Sequence, residues 1–432
     1  MTRLPARERL EAALARIDDP ESEGARACLT VYREAAMAAA EASDARAKAG
    51  VSLGPLDGTI VSLKDLFDVA GEVTRAGSKV LAEEGEPAKR DAPVVQRLRA
   101  AGAVIVAKTN MSEFAFTGVG INPHYGTPGN PADRARAPGG SSSGAAVSVA
   151  DDMCEIAIGS DTGGSVRIPA ALCGITGFKP SRQRVPTEGA FPLSYSLDSI
   201  GPLAKTVAEC AKADAVMAGE APWMLDAAPL AGLRLGVAQG LPLENLDETV
   251  GRRFPEALDR LERNGVRLTY EKLPQFDDMM RVLSRTSILV AEVYSIHRER
   301  LVRRGGDVDP IVLGRVSKGA DIVAADYVIA LRERAALIRE MDARLADLDA
   351  LVLPTTPTVA PRIDELDDPK VFMARNALLL RNTTIGNFFD LCAISLPLPR
   401  EGGLPVGLML FARNGSDRKL LRIAAAVEKM FS

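Results

Sequence analysis

Histidine is scarce in this chain. Of 432 residues only two, His124 and His297, are histidines. A Ser-His-Asp triad would have to use one of them, and a zinc site built on several histidines is excluded. His124 lies in a loop that can border a pocket, whereas His297 lies in a charged helical stretch and is predicted to be at the surface. Neither is favoured as a catalytic base.

Cysteine, long apolar runs and basic clusters are equally sparse. The five cysteines are scattered and form no C-x-x-C pair, so we interpret them as small buried residues in a reducing cytosol. No stretch approaches the ~18 apolar residues of a membrane span, and residues 1–5 lead into a charged amphipathic helix rather than a signal peptide. The net charge of −4 argues against a nucleic-acid binder. We expect a cytoplasmic protein without membrane or nucleic-acid partners.

The chain does contain ample apolar material, arranged as alternating short strands and helices. Apolar residues make up 47% of it and charged residues 25%, which is typical of a folded protein. Residues 59–63 and 103–107 are predicted strands, and residues 92–101 a helix. This alternation predicts the α/β class, with a central mixed β-sheet covered by helices on both faces in three layers.

We predict one domain over residues 1–432 rather than two independent ones. N-terminal helices cover residues 1–53, and a core follows at about 54–220. A helical elaboration spans about 221–345, and residues 346–432 return to the sheet.

Residues 138–180 are unusually rich in glycine and serine. Glycines permit a positive φ, and successive N–H groups in that geometry form an anion-binding nest. The G-x-S-x-G match at residues 140–144 lacks the preceding strand and the histidine partner of a nucleophile elbow. A P-loop would need a lysine near its end. A serine nucleophile in this segment therefore needs another base.

Lys64 is the candidate for that base. A buried lysine kept neutral can accept a proton, because desolvation lowers its pKa. Lys64 follows the apolar residues 60–63, so its stem emerges from a buried strand. On the residues alone, an ordinary ion pair with Asp65 or Asp68 is the favoured alternative.

Several motifs, in order along the chain, resemble the amidase signature family. The resemblance runs over nearly the whole chain and is strongest at about 54–205. The matching segments are residues 54–58, 61–65, 107–114, 138–144, 159–180, 196–202 and 403–407.

The resemblance implies a Ser-cisSer-Lys triad. Lys64 takes the position of the base, and Ser165 that of the nucleophile. Ser141 takes the bridging position, which the family holds through a cis peptide bond. Ser142 and Ser143 are the competing choices for the bridge; Ser142 is expected to support the network and Ser143 to begin a helix.

The resemblance also assigns an oxyanion hole next to the nucleophile. Its donors would be the backbone N–H groups of Thr162, Gly163 and Gly164, with Ser165 as a further candidate. Such donors stabilise the negative charge that develops on the carbonyl oxygen.

Four more residues are expected around this centre. Asp161 and Arg167 flank the nucleophile loop, and we favour an ion pair between them over contact of Arg167 with an anionic substrate. Phe116 and Thr117 are candidate walls of the acyl pocket, with core packing as the equal alternative.

The implied activity is hydrolysis of a small non-peptide amide through an acyl-Ser165 intermediate, with release of ammonia or an amine. No cofactor and no metal are implied, and a homodimer is expected. One alternative is the A subunit of a glutamine-dependent tRNA amidotransferase. Another is a non-catalytic family member that acts as a partner subunit.

Overall fold

A computed structural model describes residues 4–400 and 402–432. Their α-helices are α1 Ala6–Asp18, α2 Gly24–Ala27, α3 Arg33–Lys48, α4 Lys79–Glu84, α5 Pro93–Ala100, α6 Ser143–Ala150, α7 Arg167–Cys173, α8 Val207–Ala218, α9 Glu248–Arg263, α10 Pro274–Arg285, α11 Ile288–Arg304, α12 Pro310–Val316, α13 Ala324–Arg344, α14 Pro369–Phe388 and α15 Asp417–Phe431. Short 3₁₀ turns lie at Glu113–Ala115, Leu241–Leu243, Gly305–Asp307, Ser317–Asp321 and Asp364–Asp367.

The strands of these residues form one mixed sheet of eleven strands. They are β1 Cys28–Val31, β2 Ile60–Lys64, β3 Val104–Thr109, β4 Ile156–Asp161, β5 Thr176–Lys179, β6 Ser199–Ala204, β7 Arg234–Ala238, β8 Arg267–Glu271, β9 Ala350–Pro354, β10 Cys392–Pro397 and β11 Gly407–Ala412. The order across the sheet is β1-β3-β2-β4-β6-β5-β10-β11-β9-β7-β8. β2 pairs in parallel with β3 and β4, whereas β4 pairs antiparallel with β6. The α/β prediction with a mixed central sheet is confirmed.

Helices cover both faces of the sheet. Successive side chains of a strand point to opposite faces, so a strand with apolar residues at successive positions presents apolar surface on both sides. In β2, Ile60 packs into a core that includes α1, α3 and α6. Its neighbour Val61 points the other way, into a core that includes α5, α8 and α15. Strands buried on both faces need apolar residues at nearly every position, which explains the continuous apolar runs in the sequence.

The carboxyl ends of β2 and β4 meet at one edge of the sheet, because these neighbouring strands are parallel. β2 ends at Lys64 and β4 at Asp161. Helix α7 begins only a few residues beyond, at Arg167. Open α/β sheets bind ligands at such carboxyl ends.

Two local expectations differ from the structure. The N-terminal region is not purely helical, since Cys28–Val31 forms an edge strand that pairs antiparallel with β3. His297 is fully buried rather than at the surface, so that prediction was wrong. Its ring packs against Phe114 at 4.0 Å and Phe191 at 5.6 Å between centroids. Burial lowers the pKa of His297 to about 3 and keeps it neutral.

Across residues 4–400 and 402–432, none of the helices is both long and apolar enough to cross a membrane.

Candidate active site

Lys64 is fully buried at the end of β2 and contacts hydroxyl groups. Its Nζ donates hydrogen bonds to Ser141 Oγ at 2.7 Å and to Ser160 Oγ at 2.9 Å. Burial lowers the pKa of Lys64 to about 7, although Asp161 and Asp198 partly oppose this effect. A substantial fraction of Lys64 is therefore neutral near pH 7 and able to accept a proton.

The alternative ion pair of Lys64 with a neighbouring aspartate is not formed. Asp65 instead pairs with Arg75 at 3.1 Å and lies 3.6 Å from the ammonium group of Lys108. Asp68 accepts a hydrogen bond from Thr74 Oγ1 at 2.5 Å.

The three consecutive serines have separate contacts. The Gly140–Ser141 peptide bond is cis, the arrangement that the family resemblance implies, and Ser141 is the serine that contacts Lys64. Ser142 Oγ donates to the Ser160 carbonyl at 3.4 Å, and Ser143 begins α6.

Ser165 lies in the turn between β4 and α7, next to this cluster. Its carbonyl accepts a hydrogen bond from Ser142 N at 3.3 Å, and its side chain is nearly buried. Within the described part of the chain, however, Ser165 Oγ makes no hydrogen bond to Ser141 or to another residue. Catalytic hydrogen bonds of unliganded enzymes are often long and tighten only when substrate binds.

The loop before Ser165 presents free backbone donors. The N–H groups of Thr162, Gly163 and Gly164 have no acceptor among the described residues. Gly164 has a φ of +136°, and a Cβ there would lie 2.1 Å from Thr383 Oγ1. Since Thr383 Oγ1 also donates to the Gly163 carbonyl at 2.6 Å, the loop is fixed from α14 and only glycine fits at position 164.

Asp161 and Arg167 form a fully buried, two-point ion pair that supports the same loop. Arg167 Nη2 lies 2.8 Å from Asp161 Oδ1, and Arg167 Nε lies 3.0 Å from Oδ2. Burial alone would raise the pKa of Asp161, but Arg167 outweighs it and holds that pKa at about 2. Asn387 accepts from Arg167 at 2.7 Å and donates to the Asp161 carbonyl at 3.0 Å. The guanidinium is thus occupied by protein partners.

Four residues of this site carried no assigned role in the sequence. Ser160 is the second acceptor of Lys64, and Thr383 and Asn387 reach the loop from α14, more than 200 residues along the chain. Asp198 is half-buried and accepts a hydrogen bond from Thr162 Oγ1 at 2.5 Å; desolvation raises its pKa to about 6. Ser160 and Asp198 lie inside motifs of the resemblance, whereas nothing in the sequence pattern indicated the α14 residues.

A cavity of about 370 Å³ reaches Ser160 and Asp198. Ala115 and Phe191 contribute to its apolar wall. Phe116 and Thr117, which follow Ala115 in the chain, are buried and do not line this cavity. Thr117 Oγ1 donates to Ser112 Oγ at 2.9 Å, which ties this segment to the neighbourhood of Ser141.

The site combines a buried lysine, a serine that follows a cis peptide bond, and a turn with free N–H groups. Amide-hydrolysing enzymes use groups of these kinds to activate a nucleophile and to bind the developing oxyanion. A sequence model of the Amidase family matches residues 8–421, and the chain belongs to this amidase signature family.

Relatives of the chain differ in the activities for which they are named. It is 35% identical to the 2-amino-5-chloromuconic acid deaminase of Comamonas testosteroni, with 91% of this chain and 86% of that protein covered. It is also 35% identical to the A subunit of the glutamyl-tRNA(Gln) amidotransferase of Koribacter versatilis, with 93% and 90% covered.

Solved structures agree with the fold. A crystal structure described only as an amidase superposes with a TM-score of 0.89 at 32% identity, covering 99% of this chain and 97% of that one. The A subunit of the glutamyl-tRNA(Gln) amidotransferase of Thermotoga maritima gives 0.81 at 30% identity, covering 98% and 91%.

Proposed function

We propose that this enzyme hydrolyses the carbon–nitrogen bond of a small non-peptide amide through an acyl-Ser165 intermediate and releases ammonia or an amine. The observation that carries this proposal is the contact of Lys64 Nζ with Ser141 Oγ, at 2.7 Å. Because burial holds the pKa of Lys64 at about 7, the base is available at neutral pH.

The proposed reaction begins with two proton transfers. Neutral Lys64 accepts the proton of Ser141, and Ser141 accepts that of Ser165 as Ser165 Oγ attacks the amide carbon. In this proposal, Ser165 Oγ moves into hydrogen-bonding distance of Ser141 Oγ when the substrate binds at the turn that carries Ser165. The tetrahedral intermediate then collapses as the same path returns a proton to the departing nitrogen, which makes the amine a better leaving group. Water attacks the acyl-enzyme and regenerates Ser165.

The proposed oxyanion hole consists of the N–H groups of Thr162, Gly163 and Gly164. Their lack of an internal acceptor supports this role. Each such donor typically contributes about 3–4 kcal/mol to transition-state stabilisation. The ion pair of Asp161 and Arg167 would keep these donors in position.

We take the cavity that reaches Ser160, a hydroxyl partner of Lys64, as the substrate site, and its size favours a small substrate. A volume of about 370 Å³ is at the lower end of the range for small-molecule sites. The Comamonas relative is named for a small acid from which an amino group is removed, which fits release of ammonia. Homodimer formation and a cytoplasmic location stay predictions.

The second candidate function is that of an amidotransferase A subunit. It is favoured by the 35% identity to the Koribacter protein over 93% of this chain. Such a subunit would release ammonia from glutamine only within a complex. Assaying glutamine with the purified chain and with co-expressed partners separates the two candidates.

The test of the proposal is ammonia release from a panel of small neutral and acidic amides. Ser165→Ala should abolish turnover and labelling by a fluorophosphonate. Ser284→Ala, an exposed serine of α10, is the matched control and should retain both. Full activity of Ser165→Ala would exclude the assigned nucleophile, and an active wild type unlabelled by fluorophosphonate would argue against serine chemistry.

A further inference from the structure

Helix α14 holds the nucleophile loop by two of its carbonyl groups. Thr383 Oγ1 donates to the Gly163 carbonyl at 2.6 Å, and Asn387 Nδ2 donates to the Asp161 carbonyl at 3.0 Å. Because Thr383 and Asn387 stand at positions i and i+4, they lie on the same face of the helix. Both side chains are buried. One face of α14 therefore fixes two carbonyls in the loop that leads to Ser165.

A fixed carbonyl also fixes the direction of the N–H group that follows it. A peptide unit is planar, and in its trans form the C=O and N–H bonds point in opposite directions. The Asp161–Thr162 and Gly163–Gly164 peptide bonds are both trans. The N–H groups of Thr162 and Gly164 therefore point away from α14, and neither has an acceptor in the described part of the chain. They are two of the three donors of the proposed oxyanion hole.

Helix α14 is itself anchored beside this loop. Asn376 Oδ1 accepts a hydrogen bond from Gly118 N at 2.8 Å, and Asn382 Nδ2 donates to the carbonyl of Pro354, the last residue of β9, at 2.8 Å. Oxyanion donors are most effective when they are oriented before the reaction, because no reorganisation then accompanies it. A side chain on an anchored helix can supply that orientation.

The ordinary role of a helical threonine is the alternative for Thr383. Such hydroxyls often donate to a carbonyl in the preceding turn of their own helix, and the Leu380 carbonyl lies 3.3 Å from Thr383 Oγ1. A hydroxyl has only one proton to donate. The 2.6 Å contact with the Gly163 carbonyl is the shorter of the two, so the loop is the favoured acceptor.

We propose that Thr383 is a positioning residue for catalysis, whose hydroxyl orients the Gly164 N–H group toward the developing oxyanion. This inference rests on the proposed function of the site. Thr383 acts through the peptide unit that joins Gly163 to Gly164 and does not contact the reacting atoms. Its hydroxyl should therefore matter for the chemical steps and little for substrate binding.

Thr383 offers a cleaner test of this idea than Asn387. Asn387 holds the peptide unit before Thr162, but it also contacts Arg167 at 2.7 Å and Asp161 Oδ1 at 3.0 Å. Replacement of Asn387 would disturb the buried ion pair as well as the loop carbonyl.

Two pairs of variants isolate the hydroxyl of Thr383 from its packing. Threonine and valine have nearly the same shape, and serine and alanine differ only in the hydroxyl. The substrate is the small amide of the panel that wild type hydrolyses fastest. Thr383→Val and Thr383→Ala should lower kcat about 30-fold, with KM within about threefold of wild type. Thr383→Ser should retain about a third or more of the wild-type kcat, because it keeps the donor.

Thr176→Val is the matched control. Thr176 is a fully buried threonine of β5 whose hydroxyl has no hydrogen-bond partner among the described residues. Its replacement makes the same change of side chain in the core without removing a loop contact, so kcat and KM should match wild type.

The rate of labelling by a fluorophosphonate provides a second readout that needs no amide. Its phosphoryl oxygen takes the place of the carbonyl oxygen while Ser165 Oγ displaces fluoride. Thr383→Val and Thr383→Ala should be labelled about tenfold more slowly than wild type, and Thr383→Ser at nearly the wild-type rate. Circular dichroism shows which variants are folded. If Thr383→Val does not fold, the serine and alanine variants decide the question.

Three results would overturn the inference. The first is an unchanged kcat and labelling rate in folded variants without the hydroxyl. The second is an equal loss in Thr383→Ser and Thr383→Ala, which would assign the effect to the lost methyl group and hence to packing. The third is a raised KM with unchanged kcat, which would assign Thr383 to substrate binding.

The two readouts together separate this inference from the proposed function. Labelling that depends on the Thr383 hydroxyl, in a protein that hydrolyses no amide, would refute the proposed function alone. Amide hydrolysis at a rate independent of that hydroxyl would refute the inference alone. A wild type that is neither labelled nor active on any amide would refute both.

Discussion

Two lysines, Lys64 and Lys179, have the same burial but different partners. Each is the last residue of a strand in the same sheet, β2 for Lys64 and β5 for Lys179, and each is essentially inaccessible to solvent. Burial lowers the pKa of Lys64 to about 7 and that of Lys179 to about 8. By burial and pKa alone, either would qualify as a neutral base.

Their hydrogen-bond partners distinguish them. Lys64 contacts the hydroxyls of Ser141 and Ser160, whereas Lys179 donates to the carbonyls of Pro180 at 2.9 Å and Leu391 at 2.8 Å. A hydroxyl accepts one hydrogen bond and can give up its own proton, but a carbonyl only accepts. A buried lysine thus becomes a candidate base only when a transferable proton faces it.

Replacement of Lys64 should have the largest effect. Lys64→Met removes the proposed base, and we expect kcat/KM to fall about 10⁴-fold with the fold intact. Lys64→Arg should be equally inactive, because a guanidinium does not lose its proton. Ammonia release and circular dichroism test this. Substantial activity in either variant would transfer the role of base to another group.

The pH dependence should report Lys64 and not Lys179. Since Lys64 acts in its neutral form, kcat/KM should rise with pH up to about 7 and fall about tenfold per unit below it. Asp198, whose pKa is raised to about 6, is another group of the described site with a pKa in this range. A pH profile of Asp198→Asn should keep this limb but move it to lower pH, because the charge of Asp198 raises the pKa of Lys64. Disappearance of the limb in that variant would assign it to Asp198 instead.

Replacement of Lys179 should have the smallest effect on turnover. Lys179→Met leaves two buried carbonyls without a donor, which we expect to lower the free energy of unfolding by about 1–3 kcal/mol. Activity per folded molecule should stay within threefold of wild type. Lys205→Met, which removes an exposed pair with Asp152, should change stability by less than about 0.5 kcal/mol. Urea denaturation and rates normalised to folded protein provide the test. A catalytic defect in the folded Lys179 variant would contradict the conclusion that Lys64, and not Lys179, takes part in catalysis.

The strands that carry the site could be predicted because they are buried on both faces. Residues 103–107 are a continuous apolar run and residues 59–63 are mostly apolar, and the structure has strands there. The edge strand Cys28–Val31 was not predicted, because its conformation depends on pairing with β3. His297 was misjudged for a related reason. Its charged neighbours suggested solvent, whereas its own ring packs on Phe114.

The sequence by itself determined which residues are candidates for the chemistry. Two histidines in 432 residues removed the usual base, and ordered motifs singled out Lys64, Ser141 and Ser165. Only the tertiary structure decided which hydrogen-bond or ion-pair partners each buried lysine and arginine has. Lys64 differs from Lys179 because Ser141 and Ser160 bring hydroxyl groups to Lys64, whereas Lys179 contacts the carbonyls of its neighbour Pro180 and of Leu391. A local sequence pattern does not encode those contacts, because burial and hydrogen bonding depend on residues far away in the chain.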